Sequence, residues 1–138
     1  MNIKKFLIGS TAGAFLFGSL AVAAFAVGTN GSFESGTDPG VFTTVNPGGT
    51  NITGWNVDSG NVDYIGTYWP ASNGVRSVDM NGLTAGSISQ SLTTVVGATY
   101  NVTFDLSGNP DSRPVGDPLW SPSNKVLRVS TGAAFQDF

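Results

Sequence analysis

The chain contains no cysteine and no histidine. The first absence excludes a disulfide framework, a thiol redox pair and thiolate metal clusters. The second removes the general base of Ser-His-Asp and Cys-His hydrolases, and the imidazole ligands of most zinc sites. Charge is scarce as well: only 11 % of the 138 residues are Asp, Glu, Lys or Arg, with a formal net charge of −3. Six basic residues against nine acidic ones give no cationic footprint for nucleic acid or for an anionic membrane surface. Helical patterning is also missing. After Val27, apolar residues do not recur at three- and four-residue spacing over any long window.

Turn formers and aromatic rings are plentiful by contrast: 19 Gly and seven Pro stand beside nine Phe, three Trp and three Tyr. Short strands joined by tight turns around an aromatic interior are the architecture that suits this mixture.

Residues 1–26 read as an export signal. Lys4 and Lys5 form a positive start, an uncharged apolar run follows through Ala23, and Ala24-Phe25-Ala26 offers the small-x-small pattern cut by a signal peptidase. The run is long enough that an uncleaved signal-anchor is the rival reading. Six glycines, serines and threonines between Gly9 and Ser19 weaken it as a permanent span. Cleavage before Val27 leaves four basic and nine acidic residues, a net of −5. The exported part, residues 27–138, has the length of one domain.

Period-two patterning marks the strands. In Thr99–Leu106, Tyr100, Val102, Phe104 and Leu106 alternate with polar neighbours. Gly86–Leu92, Lys125–Thr131, Phe42–Val45, Trp55–Val57, Val62–Ile65 and Ser77–Met80 read as further strands, and Ser32–Glu34 as a first short one. Asp58-Ser59-Gly60-Asn61 and Asn81-Gly82 are turn signals. The expected fold class is all-β, a sandwich. Between Asn109 and Asn124 four prolines make a loop that cannot lie inside a sheet. Trp120 within it is either a hydrophobic lid or an exposed aromatic for ligand stacking. Phe135 and Phe138, apolar residues directly after a strand, suggest a domain incomplete at its C-terminus, with one strand still to come.

Three constellations could carry function. A carboxylate pair could hydrolyse glycosides without histidine, but turn and strand-surface positions account for nearly all the acids, so no catalysis is expected. Glu34, the only glutamate, closes Asn30-Gly31-Ser32-Phe33-Glu34. It is either a solvated strand-end charge or one oxygen donor to a calcium ion. The densest polar and aromatic stretch is Val62–Gly82. There Tyr68-Trp69 could form a flat surface for the C–H face of a sugar, with Arg76 and Asp79 as polar partners to its hydroxyls. The competing reading puts Tyr68 and Trp69 in the core and pairs Arg76 with an acid; Tyr64 is read as core.

The runs NGSFE (30–34), GW (54–55), VDYIGTYW (62–69), SNGVRSVDMNG (72–82), GSISQSL (86–92), TYNVTFDLSGNP (99–110) and KVLRVS (125–130) together resemble the choice-of-anchor C family. They are similar also to a related plant cell-wall domain family. The resemblance implies an extracellular galactose-binding-like jelly roll, associated with cell surfaces or polysaccharide and without established enzymatic activity. It also implies a structural calcium at Glu34. The functional expectation is therefore a secreted or surface-bound, non-catalytic module that binds cell-wall or other extracellular polysaccharide. The alternative is an adhesive surface protein that assembles through strand edges.

Overall fold

The computed structural model describes residues 2–9, 28–109 and 125–138. Among them the chain forms nine strands and no helix: β1 (Asn2–Gly9), β2 (Phe42–Val45), β3 (Asn56–Ser59), β4 (Val62–Ile65), β5 (Ser77–Asp79), β6 (Ser87–Ser89), β7 (Thr99–Leu106), β8 (Arg128–Thr131) and β9 (Ala134–Asp137). Every pairing is antiparallel. The fold class is all-β, as the patterning predicts. No helix among the described residues is long and apolar enough to cross a membrane. The cleavage motif at Ala24–Ala26, the proline-rich loop and Trp120 lie outside the described residues. The chain divides into two compact units, one of Val27–Thr93 and one combining Met1–Ala26 with Thr94–Phe138.

The Val27–Thr93 unit holds two sheets, β2-β4-β5 and β3-β6. Alternation along each strand decides which side chains meet between them. From the first sheet Val45, Val62 and Tyr64 point inward and are almost fully buried; from the second comes Val57, with Ile52 completing the cluster. Val78, Met80, Ile88, Phe33 and Trp55 pack around it. Since Val57 pairs with Ile88 and Tyr64 with Val78, each sheet contributes an apolar row to a shared interior, an arrangement consistent with a β-sandwich. Full burial of side chains of this size stabilises by about 1.5–3 kcal/mol each.

Asp58-Ser59-Gly60-Asn61 does turn the chain, but it does not close a hairpin. β3 pairs with β6 and β4 with β2 and β5, so the turn carries the chain from one sheet to the other. Asn61, 8 % exposed, anchors the crossing: its Oδ1 accepts the backbone N–H groups of Leu83 (2.7 Å) and Thr84 (3.0 Å). A buried amide oxygen with two donors is fully employed, which explains a polar group at the edge of an apolar core.

One expected strand is absent. Ser32–Glu34 lies in a turn, with Asn30 at φ 55° and Phe33 at φ 63°. The left-handed backbone is uncommon for a bulky residue and is sustained here by contacts. Phe33 N–H donates to Asn30 O (3.1 Å), the Asn30 side chain bonds Ser35 and Thr53, and the Phe33 ring packs 5.3 Å from Trp55. These interactions override the strand-forming preference of a three-residue run.

In the second unit, β1 and β7 pair over eight residues, from Asn2↔Leu106 to Gly9↔Thr99. β7 has the predicted bounds and alternates between exposed and half-buried positions up to Phe104. β8 and β9 form a hairpin, clasped by the Arg128 guanidinium on the Asp137 carboxylate at 2.7 and 2.8 Å. The expected strand at Lys125 thus begins at Arg128, and the apolar tail forms a strand of its own. Phe138 packs edge-on against Phe104 at 5.1 Å and exchanges backbone hydrogen bonds with Leu127.

Candidate functional site: an aromatic and acidic sheet face

Along β2, β4 and β5 the residues that do not face the interior share the opposite face. Register places them in two rows across the sheet: Phe42, Ile65 and Ser77, then Thr44, Asp63 and Asp79. The rows lie two residues apart along each strand, roughly 7 Å.

The first row carries the rings. After β4 the chain stays beside residues 40–41, where Gly66 and Tyr68 donate their N–H groups to Val41 O and Thr67 donates to Gly40 O. This holds Tyr68 edge-on to Phe42, with centroids 5.4 Å apart, and Trp69 tilted against Tyr68 at 5.1 Å. Trp69 Nε1–H donates to Ser77 Oγ at 3.1 Å, which ties the indole to the same row. Phe42 and Tyr68 remain 44 % and 45 % exposed, whereas Ile65 in their row is 1 % exposed. The three rings therefore present apolar surface to solvent in fixed orientations.

The second row is polar and anionic. Thr44 Oγ1 donates to Asp63 Oδ1 at 2.6 Å, and Asp79 Oδ1 accepts the Asn81 N–H at 2.9 Å. Asp63 and Asp79 are direct cross-strand partners, a like-charge pairing that costs stability.

The predicted site residues are thereby divided. Tyr68, Trp69 and Asp79 lie on this face together. Arg76 belongs to the opposite side, with the inward-facing Tyr64. Its Nη1 donates to the Tyr64 hydroxyl at 2.8 Å, and that hydroxyl donates to Phe33 O at 2.6 Å. The guanidinium lies 5.4 Å from the Tyr64 ring centroid and 3.9 Å from Asp38. The Tyr64 hydrogen bond foremost raises the Arg76 pKa; burial opposes it, and electrostatic attraction to Tyr64, Asp38 and Glu34 adds to the rise.

Glu34 belongs to this second network. Its Oε1 accepts the N–H groups of Val75 and Arg76, both at 2.9 Å, and clamps the loop before β5. A Cβ on Gly74 would come within 2.2 Å of that oxygen, so the clamp depends on glycine there. That oxygen therefore faces two positive N–H dipoles, with the Arg76 guanidinium on the same loop.

Sequence reasoning missed Phe42, Thr44 and Asp63 as members of the sheet face. Their outward phase is readable from the alternation in FTTV and VDYI, but the cross-strand register that makes rows of them is not.

Fold and face define an all-β module with a rigid aromatic platform beside paired carboxylates. The chain belongs to the DUF642 family, described as "Protein of unknown function (DUF642)", whose model matches residues 27–138. This is a family of plant cell-wall-associated proteins, in line with the cell-wall resemblance of the sequence motifs. The chain is also similar to halomucin of Haloquadratum walsbyi, at 34 % identity over 108 residues. That match covers 75 % of this chain but spans only 1 % of halomucin's length. No solved structure matches the chain.

Proposed function

We propose that the protein is an exported, non-catalytic module of the cell surface or extracellular matrix. It binds polysaccharide through the solvent face of β2-β4-β5. The observation that carries this reading is the juxtaposition of a three-ring cluster (exposed Phe42 and Tyr68 with half-buried Trp69) with a row of oriented oxygen acceptors (Thr44, Asp63, Asp79) on one sheet. Sugar recognition in water requires both parts: an apolar plane against the ring C–H groups and fixed polar atoms for the hydroxyls. Membership of a cell-wall-associated family supports an extracellular setting, and so does the export signal read in residues 1–26.

Charge narrows the ligand. Asp63 and Asp79 repel uronate and sulfate groups but accept hydrogen bonds from hydroxyls, so the favoured chains are neutral ones. The test is affinity electrophoresis of the mature protein in gels containing neutral or uronic-acid polysaccharides. Retardation by a neutral polymer is expected, with the apparent Kd weakened about tenfold in Trp69→Ala, equivalent to ~1.4 kcal/mol. Equal retardation of wild type and Trp69→Ala would remove the platform. Preference for the uronic-acid polymer would remove the role of the acidic row.

A further inference from the structure

A concave surface lies in the Val27–Thr93 unit, lined by none of the residues on the outer face of β2-β4-β5. It is an open cleft of about 560 Å³ whose floor includes Ile52 and Trp55. Thr50, Thr53, Asn56, Gln90 and Ser91 supply hydroxyl and amide groups around it, and no charged side chain lines it. Volume alone places it within the range of small-ligand sites, roughly 300–1,000 Å³.

Two of its side chains are locked before any ligand arrives. Trp55 Nε1–H donates to Asn30 O at 3.0 Å, and Phe33 packs against the indole, so the ring has one orientation. Gln90 Nε2 donates to Thr29 O (2.6 Å) and Gly54 O (2.7 Å), spending both amide hydrogens and fixing which end of the side chain is the acceptor. Binding to such a surface costs little ordering of these groups. A half-buried indole, a fixed amide oxygen and several hydroxyls without a formal charge match the surface of an uncharged sugar. They offer an ionised ligand nothing to offset its desolvation.

We infer that this cleft is a second binding site, specific for a neutral saccharide unit and independent of the Phe42–Tyr68–Trp69 face. The two sites then sit on one compact unit and can engage two segments of one polymer or two neighbouring chains. This raises avidity without new contacts.

The test is an NMR titration of the isotope-labelled mature protein with cellohexaose, β-1,4-galactotetraose and trigalacturonic acid. One or both neutral probes should move the Trp55 indole N–H and Gln90 side-chain amide signals, and the charged probe should not. Thr50→Arg and Ser91→Arg, both at exposed positions of the rim, should each weaken that response at least tenfold while leaving the Trp69 response in place. Trp69→Ala should leave the Trp55 response intact. If the Trp69 signal responds to the neutral probes and those of Trp55 and Gln90 stay still, the second site is refuted and the first stands. If Trp55 and Gln90 respond and Trp69 does not, the second site stands without the first. Silence at both overturns both, and a response of Trp55 to trigalacturonic acid equal to that for the neutral probes overturns the specificity.

Discussion

Glu34 is where loop-clamp and calcium-ligand chemistry make opposite predictions. Replacing it with alanine deprives the N–H groups of Val75 and Arg76 of their carboxylate acceptor. The Val75 bond is solvent-exposed, so water replaces most of it; the Arg76 bond is partly buried and costs more. Charge-assisted bonds in these settings sum to about 2 kcal/mol. For a unit of this size that is a fall in Tm of roughly 10 °C. Glu34→Gln retains an oxygen at the same place and loses only the charge, so about 1 kcal/mol or less is expected. Scanning fluorimetry of the three proteins, each with calcium and with chelator, reads the difference. The clamp predicts the order wild type, Gln, Ala, unchanged by chelator. If chelator lowers the wild-type Tm to that of Glu34→Ala, and Glu34→Gln is as unstable as Glu34→Ala in calcium, the carboxylate holds a metal and the clamp argument is wrong.

Gly60 sits at φ 58°, and a Cβ there would lie 2.0 Å from Ala85 O. Gly60→Ala is therefore expected to cost more than the ~1–2 kcal/mol of left-handed strain alone, seen as a lower urea midpoint; an unchanged midpoint would contradict the close approach of the two loops. Asp79→Asn removes one of two opposed carboxylates while keeping the oxygen that caps Asn81 N–H, and should stabilise by ~0.2–1 kcal/mol at neutral pH. That gain should shrink in high salt, and a loss of stability at every ionic strength would refute it. In the β8–β9 hairpin, the hydrogen bond from Arg128, opposed by burial and aided by its charge, lowers the Asp137 pKa below 3.8. A depressed folded-state pKa means that the pair contributes fully above pH 3.8 and is lost as pH falls through the lowered value. The Arg128 Nε–H resonance should hold its position as pH passes 3.8 and shift only below it; Asp137→Asn should show no such step.

Much of the secondary structure was legible because it is written in period two. Thr99–Leu106, Phe42–Val45 and Val62–Ile65 have the same bounds in sequence and structure. Tyr64 reads as core and is buried. Two failures share a cause. Ser32–Glu34 looks extended by composition, but Phe33 gains more by packing on Trp55 and giving its carbonyl to Tyr64, 31 residues away. Ala134–Asp137 carries no clear alternation and becomes a strand through its register with β8. Arg76 and Asp79 stand three residues apart, an odd spacing that sends them to opposite faces of a strand, so the expected joint role of the two at one site fails on alternation itself.

Residue chemistry by itself settled the absence of thiol and imidazole chemistry, the predominance of strands and the candidacy of Tyr68 and Trp69. These depend only on which side chains exist and how they alternate. Partnership came from the fold. Asp63 meets Asp79, Phe42 joins the rings, and Glu34 takes the loop amides because antiparallel register and sheet crossing bring together residues 16 to 42 positions apart. A linear pattern specifies the face a side chain points to, whereas the neighbour it finds on that face is fixed only when the strands dock.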